Sequence, residues 1–455
     1  MTLSSQLAEF VAGTEFESLP PEAVIQAKRA ILDTLGVALA GCREEGPGIM
    51  AEQARRTGAA QGAVVLGQPF RAPAAEAALV NGTSAHALDF DDVNVSMRGH
   101  PSAPLLPAVL ATADAAGASG ARLLLAFVIG VEVEAKLGRL MGGRHYALGW
   151  HPTSTLGTLG AAAACAKLLG LDRERTRAAL GIAASMACGV RANFGTMTKP
   201  LHVGLAARNG VQAAALAAAG FTASDEALDA DDGFVSTFLA EPPRDDRHLD
   251  GLGQPYDIVS PGLGQKLYPC CYATHRAVDA AIELAGGVAA ADIASVRIHV
   301  SRGTLMPLND RRPQTGLEGK FSLGYCTAAA LVDGAVRISS FTDDAVRRPD
   351  VSRLLDATEV VEDQEPQSNP LAAWAELRLA LADGSDRSLR VDVPKGDPRR
   401  PLTWDELAAK FRDCAAPLLQ PEEAAQVIET IERLDRLQDV RQLTAILAGE
   451  RAEAT

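Results

Sequence analysis

Two well-separated stretches hold most of the side chains that could do chemistry. The first runs Ala87-Leu88-Asp89-Phe90-Asp91-Asp92 and on to His100-Pro101-Ser102, with His86 just before it and Arg98 inside it. The second runs Arg191-Ala192-Asn193-Phe194-Gly195-Thr196-Met197-Thr198-Lys199-Pro200-Leu201-His202. Imidazole titrates near neutral pH and works as an acid or a base. A carboxylate such as Asp89 beside His100 orients the ring or binds a substrate hydroxyl, and Arg98 is a candidate bidentate clamp for a carboxylate. Burying a lysine without a partner is expensive, so Lys199 among small and apolar residues implies a bound carboxylate or a depressed pKa. This is equipment for moving a proton next to a carboxylate. Residue types alone leave other readings open: a solvated acidic helix end at 89–92, a surface role for Arg98, or a metal site. The metal reading meets no familiar ligand spacing such as His-Glu-x-x-His.

Two further motifs interrupt the apolar pattern. Gly149-Trp150-His151-Pro152-Thr153 precedes a helix whose free N–H groups suit an anion, with Thr153 or Ser154 expected as its cap. His145 is a weaker candidate. Lys266-Leu267-Tyr268-Pro269-Cys270-Cys271-Tyr272-Ala273-Thr274-His275 places a thiol near an ammonium, which lowers a cysteine pKa; buried inert thiols are the alternative. The Gly-Leu-Gly-Gln pairs at 251 and 262 are not nucleotide loops, so neither NAD nor ATP is expected.

The elements that must position these groups read as mostly helical. A chain of 455 residues is long enough for two domains. With 47% hydrophobic but only 4% aromatic residues, its core must be built from Ala, Leu and Val. Helical patterns cover 20–40, opened by Pro20-Pro21-Glu22, then 73–87, 104–115, 120–140, 155–169, 172–187 and 201–219, with Pro200 opening the last and no convincing strand before 220. The texture changes at Glu241-Pro242-Pro243-Arg244-Asp245-Asp246. An α+β module follows, with a helix at 273–286, a strand at 294–300 and a hairpin over 375–382 and 387–393 turning at Asp383-Gly384-Ser385. The expected domains are 1–265, all-helical and joined by 400–455, and 266–399, α+β. A formal charge of −14 without a basic patch excludes nucleic acid as a partner. The N-terminus does not read as a signal peptide, so a cytoplasmic protein without membrane contact is expected. Seven cysteines without repeated CxxC spacing make no disulfide framework and no zinc ribbon.

Taken together, the motifs resemble those of the MmgE/PrpD family over nearly the whole length. They are Asp89-Phe90-Asp91-Asp92 with His100-Pro101-Ser102, His151-Pro152, Thr198-Lys199-Pro200-Leu201-His202 with Gly204, Lys266-Leu267-Tyr268-Pro269, and Lys320-Phe321-Ser322. The resemblance implies a mostly α fold, a large all-helical domain plus a smaller α+β lid domain. It also implies a homodimer and a pocket between the domains without metal or organic cofactor. Position by position it nominates Asp89, His100, His151, Lys199 and Lys266 as catalytic. Cys271 joins them as a candidate acid, and Arg98, Arg191, His202 and Tyr268 are candidate substrate contacts. The implied reaction is proton abstraction beside a carboxylate of a small di- or tricarboxylic acid. Val93 and Cys271 stand where the decarboxylase pattern has a threonine and a histidine. The wording around Arg191 and Cys271 is closer to the iminodisuccinate epimerase branch, so an epimerase is the first expectation. A methylcitrate-type dehydratase or cis-aconitate-type decarboxylase is the alternative. A metal-dependent hydrolase and an inactive helical interaction protein are the competing classes.

Overall fold

The computed structural model describes residues 2–57, 62–241, 249, 251–308, 312–365 and 373–448. The proline-rich change of texture at 242–248 lies outside the described residues. The chain divides into two compact bodies: residues 1–87, 91–264 and 403–455 form the larger, and 88–90 with 265–402 the smaller.

The larger body is built on helices α1 (Leu3–Gly13), α2 (Pro21–Gly41), α3 (Glu45–Thr57), α4 (Ala74–Ala87), α5 (Ser102–Ala116), α6 (Gly120–Ala147), α7 (Pro152–Leu169), α8 (Arg173–Met186), α9 (Thr198–Ala218) and α10 (Phe234–Leu239). Their boundaries follow local chemistry. Pro21 and Pro152 sit in first turns, where the missing N–H is not needed. Asp172 caps α8 through Arg175 N, and Gly170 at φ 70° closes α7. Three expectations are corrected here. A short antiparallel pair, β1 (Ala63–Val64) and β2 (Arg71–Ala72), breaks the all-helical pattern. It is too short to show alternation, and the Asn81 side chain pins it to α4 by bonding Val64 O and Leu66 N, both at 2.9 Å. The N-cap of α7 is His151, not Thr153 or Ser154. Finally, α9 starts at Thr198, two residues before Pro200, because proline in a first turn forfeits no bond. Lys199 therefore lies in the first turn itself.

The Ala- and Gly-rich composition lets these helices approach closely. A Cβ added at Gly204 of α9 would fall 2.3 Å from Leu79 O and 2.2 Å from Thr83 Oγ1 of α4. Gly210 of α9 makes the same kind of approach to Ala161 of α7, at 2.3 Å.

In the smaller body α11 (His275–Ala285) leads into β3 (Ile293–Val300), followed by α12 (Gly316–Gly319), α13 (Leu323–Asp333), α14 (Asp343–Val346), α15 (Pro349–Asp356) and β4 (Thr358–Glu362), then β5 (Ala375–Leu381) and β6 (Asp386–Val391). The strand order is β4-β3-β5-β6, with β4 parallel to β3 and the other pairs antiparallel. Gly384 at φ 85° turns the β5–β6 hairpin. Val278, Ala281, Ile298, Tyr325, Leu331, Leu377 and Leu379 share its core. From Thr403 onward the chain belongs to the larger body, through α16 (Trp404–Ala415), α17 (Pro421–Glu432) and α18 (Arg441–Leu447). Lys410 of α16 reaches Asp33 of α2 at 2.7 Å. Among the described residues, no helix is long and apolar enough to cross a membrane.

The close crossing of α4 and α9 carries a direct consequence. Gly204→Ala should destabilise the protein by about 1–3 kcal/mol, because backbone rather than a flexible side chain must give way. Urea denaturation of the variant beside the parent measures it.

Candidate active site

Three helix N-termini meet in the larger body: those of α5, α7 and α9. The loop from Asp91 to Pro101 supplies the first. Asp92 substitutes for a conventional cap on α5: its carboxylate accepts the Ser102 N–H at 3.1 Å and the Ser102 hydroxyl. Thr153 Oγ1, in the first turn of α7, accepts the His100 N–H at 3.2 Å. At the start of α7 and α9, His151 Nδ1 lies 3.2 Å from His202 Nδ1, and Ser154 Oγ donates to His202 O at 2.9 Å. The positive ends of three helix dipoles thus point at one region.

The side chains there form a connected set. His86, on the last turn of α4, has Nδ1 at 2.8 Å from Asp91 Oδ2 and Nε2 at 2.7 Å from Lys199 Nζ. His100 Nδ1 lies 2.9 Å from Asp92 O and 3.2 Å from Asp91 Oδ2. His86 and His100 rings meet edge-on with centroids 4.6 Å apart, and His151 packs edge-on against Phe194 at 4.9 Å. Lys199 Nζ lies 5.2 Å from the Phe194 centroid, a cation–π contact. His86, Asp91, His151, Lys199 and His202 are all buried, whereas the His100 side chain keeps 14% of its surface exposed.

Burial and the nearby ammonium decide protonation here. Burial pushes His86 down to about 4, with Asp91 opposing the fall and Lys199 adding to it. His151 is held well below the ordinary imidazole range by burial and then by Lys199, and His202 falls for the same two reasons. Asp92 moves the other way, up to about 7, because it is buried and faces Asp33 and Asp91. A metal ion at His86, Asp91 and His100 would have to displace both imidazole bonds to Asp91 Oδ2 and sit beside an ammonium.

The smaller body carries Asp89, Lys266, Tyr268 and Cys271. Asp89 has a left-handed backbone, φ 51°, which is rare outside glycine and asparagine. Lys266, fully buried, donates to Asp89 O at 2.7 Å and pairs with Asp89 Oδ2 at 3.1 Å. Lys320 donates to Leu88 O at 2.8 Å and Pro269 O at 2.9 Å. Two ammonium groups therefore clamp the 88–90 segment. Cys271 is buried, and its N–H bonds Lys320 O at 2.9 Å.

Both halves of the chain match family models: the MmgE/PrpD N-terminal domain over residues 5–246 and the MmgE/PrpD C-terminal domain over 268–436. The chain belongs to the MmgE/PrpD family. It is an enzyme of the MmgE/PrpD type. Proteins named cis-aconitate decarboxylase from Mus musculus and Homo sapiens are each 33% identical to it, over 98% of this chain and 94% and 95% of theirs. A protein of the same name from Aspergillus terreus is 28% identical over 98% of this chain and 96% of its own.

In this MmgE/PrpD protein the structure brings His100, His151, Lys199 and His202 together in the larger body, and Asp89 with Lys266 in the smaller. Other nominees have different surroundings. Arg98 is exposed at φ 56°, and a Cβ at Gly143 of α6 would lie 3.7 Å from its guanidinium carbon. Arg191 donates to Tyr146 O at 2.8 Å and stacks over the Tyr146 ring at 3.8 Å, which fits a brace for the loop before α9. The Tyr268 hydroxyl donates to Asp279 at 2.6 Å, and burial together with that carboxylate pushes its pKa up. His145 is structural, with Nε2 at 2.8 Å from Thr155 Oγ1. Sequence reasoning assigned no separate role to His86, Asp91 or Asp92, and expected Thr153 as a helix cap rather than as the acceptor of the His100 N–H. The sequence signal for the first pair is a lone ionisable residue at the end of α4 with an aspartate five residues further on.

Asp92 supplies a pH test. Its folded pKa, about 7, lies above its ordinary 3.8, so its stabilising contribution is complete below 3.8 and is lost as pH rises to about 7. Asp92→Asn should therefore gain stability relative to the parent between pH 4 and pH 7, then hold level above it. Urea midpoints across that range check the sign.

Proposed function

We propose that the protein is a cofactor-independent lyase acting beside a carboxylate of a small di- or tricarboxylic acid, working in the cytoplasm as a homodimer, with decarboxylation of a cis-aconitate-type acid as its reaction. The observation that carries this reading is the meeting of three helix N-termini around the buried Lys199 ammonium and four imidazoles. Such a setting favours an anion twice, through the dipole ends and through the ammonium. Full-length similarity to proteins named cis-aconitate decarboxylase supports decarboxylation over the epimerase reading drawn from motif wording.

In this reading Lys199 holds a substrate carboxylate and stabilises the charge that develops as the bond breaks, which is most effective where water is excluded. When the C–C bond to the leaving carboxylate breaks, its electron pair shifts through the adjacent double bond, CO2 departs and the far carbon takes a proton. His100 is the acid/base. Its Nδ1 proton is engaged by the Asp92 carbonyl, so Nε2 carries the exchangeable position, and this ring is the more exposed of the cluster. His151 and His202 line the anion side. Asp89, Lys266 and Cys271 enter on the family resemblance. Val93 and Cys271, at the threonine and histidine positions of the decarboxylase pattern, make epimerisation the second reading.

The test is to incubate the protein with a panel of di- and tricarboxylic acids in heavy water. The expected result is CO2 release from a cis-aconitate-type acid with one deuterium fixed at carbon. Exchange of an α-proton without CO2 would favour the epimerase reading, and inertness toward the whole panel would overturn both. Lys199→Ala should lower kcat by at least about 100-fold while leaving the fold intact.

A further inference from the structure

His86 lies one contact behind Lys199, and neither the family motifs nor the reaction scheme gives it a task. We infer that His86, oriented by Asp91, is a positioning residue for Lys199: a neutral imidazole, protonated at Nδ1, whose single lone pair on Nε2 fixes the direction of the lysine nitrogen.

The hydrogen-bond directions follow from the donor inventory. An ionised carboxylate only accepts, so at 2.8 Å from Asp91 Oδ2 the His86 Nδ1 must carry the proton. In a neutral ring Nε2 then holds the lone pair, and at 2.7 Å it accepts from Lys199 Nζ, which has only hydrogens to offer. The other tautomer would set N–H against N–H at the lysine. A cationic ring would do the same and add charge repulsion. Asp91 and His100 from the α4–α5 loop, His151 from the start of α7 and Lys199 from α9 pack on the ring and agree with this assignment. Burial independently holds the ring neutral at neutral pH.

The arrangement also answers a local problem. A lysine in the first turn of α9 sits at the positive end of that helix, where the dipole disfavours it. A ring with a fixed lone pair offsets this at one N–H. The function of His86 is therefore exerted through Lys199.

The kinetic part of this inference rests on the proposed lyase activity; the spectroscopic part does not. Protein carrying 15N-labelled histidine is followed by two-bond proton–nitrogen correlation between pH 6 and 8, with His86 assigned from the signal lost in His86→Gln. The expected signature is an Nδ1–H tautomer that does not titrate across this range. An Nε2–H tautomer or a cationic ring overturns the inference. With the acid that the wild-type enzyme turns over, His86→Ala should lower kcat about 100-fold with KM changed by less than about threefold. His86→Gln should regain about tenfold of that, since its amide can donate to Asp91 and accept from Lys199. Unchanged kcat in His86→Ala, or equal losses in both variants, contradicts positioning. If the wild-type protein turns over no acid, the functional reading fails and the tautomer alone decides the role of His86.

Discussion

A buried ammonium at a helix N-terminus is the constraint to which the larger body answers. Lys199 has little contact with solvent and stands where the α9 dipole is unfavourable to it. Its environment supplies what water would have: the His86 lone pair, the Asp91 charge one ring further, and the face of Phe194. The same ammonium helps depress His151 and His202, so those imidazoles stay neutral beside it. One charge thereby sets the protonation of its neighbours, and the region as a whole is prepared for an anion.

Close helix packing makes this geometry attainable. His86 and Lys199 lie on α4 and α9, whose backbones approach at Gly82 and Gly204 more closely than any side chain would permit. A core of alanine, leucine and glycine with few aromatics is the compositional form of that requirement. The Asp92 carboxylate extends the same economy to α5, serving as its cap while its neighbour Asp91 serves two imidazoles.

Much of this was legible in the sequence because it is local. Asp172 and Gly170 mark helix ends by chemistry that acts within a turn, and the β5–β6 hairpin announces itself at Asp383-Gly384-Ser385. Asp89, His100, His151, Lys199 and Lys266 could be nominated because several spaced motifs matched one family. What stayed hidden depends on partners far along the chain. His86 gains its meaning from a lysine 113 residues later, and nothing in the spacing of either motif specifies that contact. Arg191 and Tyr268, nominated as candidate substrate contacts, also bond Tyr146 O and Asp279, partners that their own motifs do not specify. The edge strand β4, half exposed and paired in parallel with β3, has no alternation to betray it.

The central claim is that Lys199 is the charge that holds a substrate carboxylate. Calorimetric titration with tricarballylate, a saturated tricarboxylate that cannot be decarboxylated through a neighbouring double bond, measures this without turnover. The account predicts binding to the wild-type protein and a loss of at least about tenfold in affinity in Lys199→Met, as expected when one charge-assisted contact worth roughly 1.5–3 kcal/mol is removed. Equal affinity in the two proteins would contradict it.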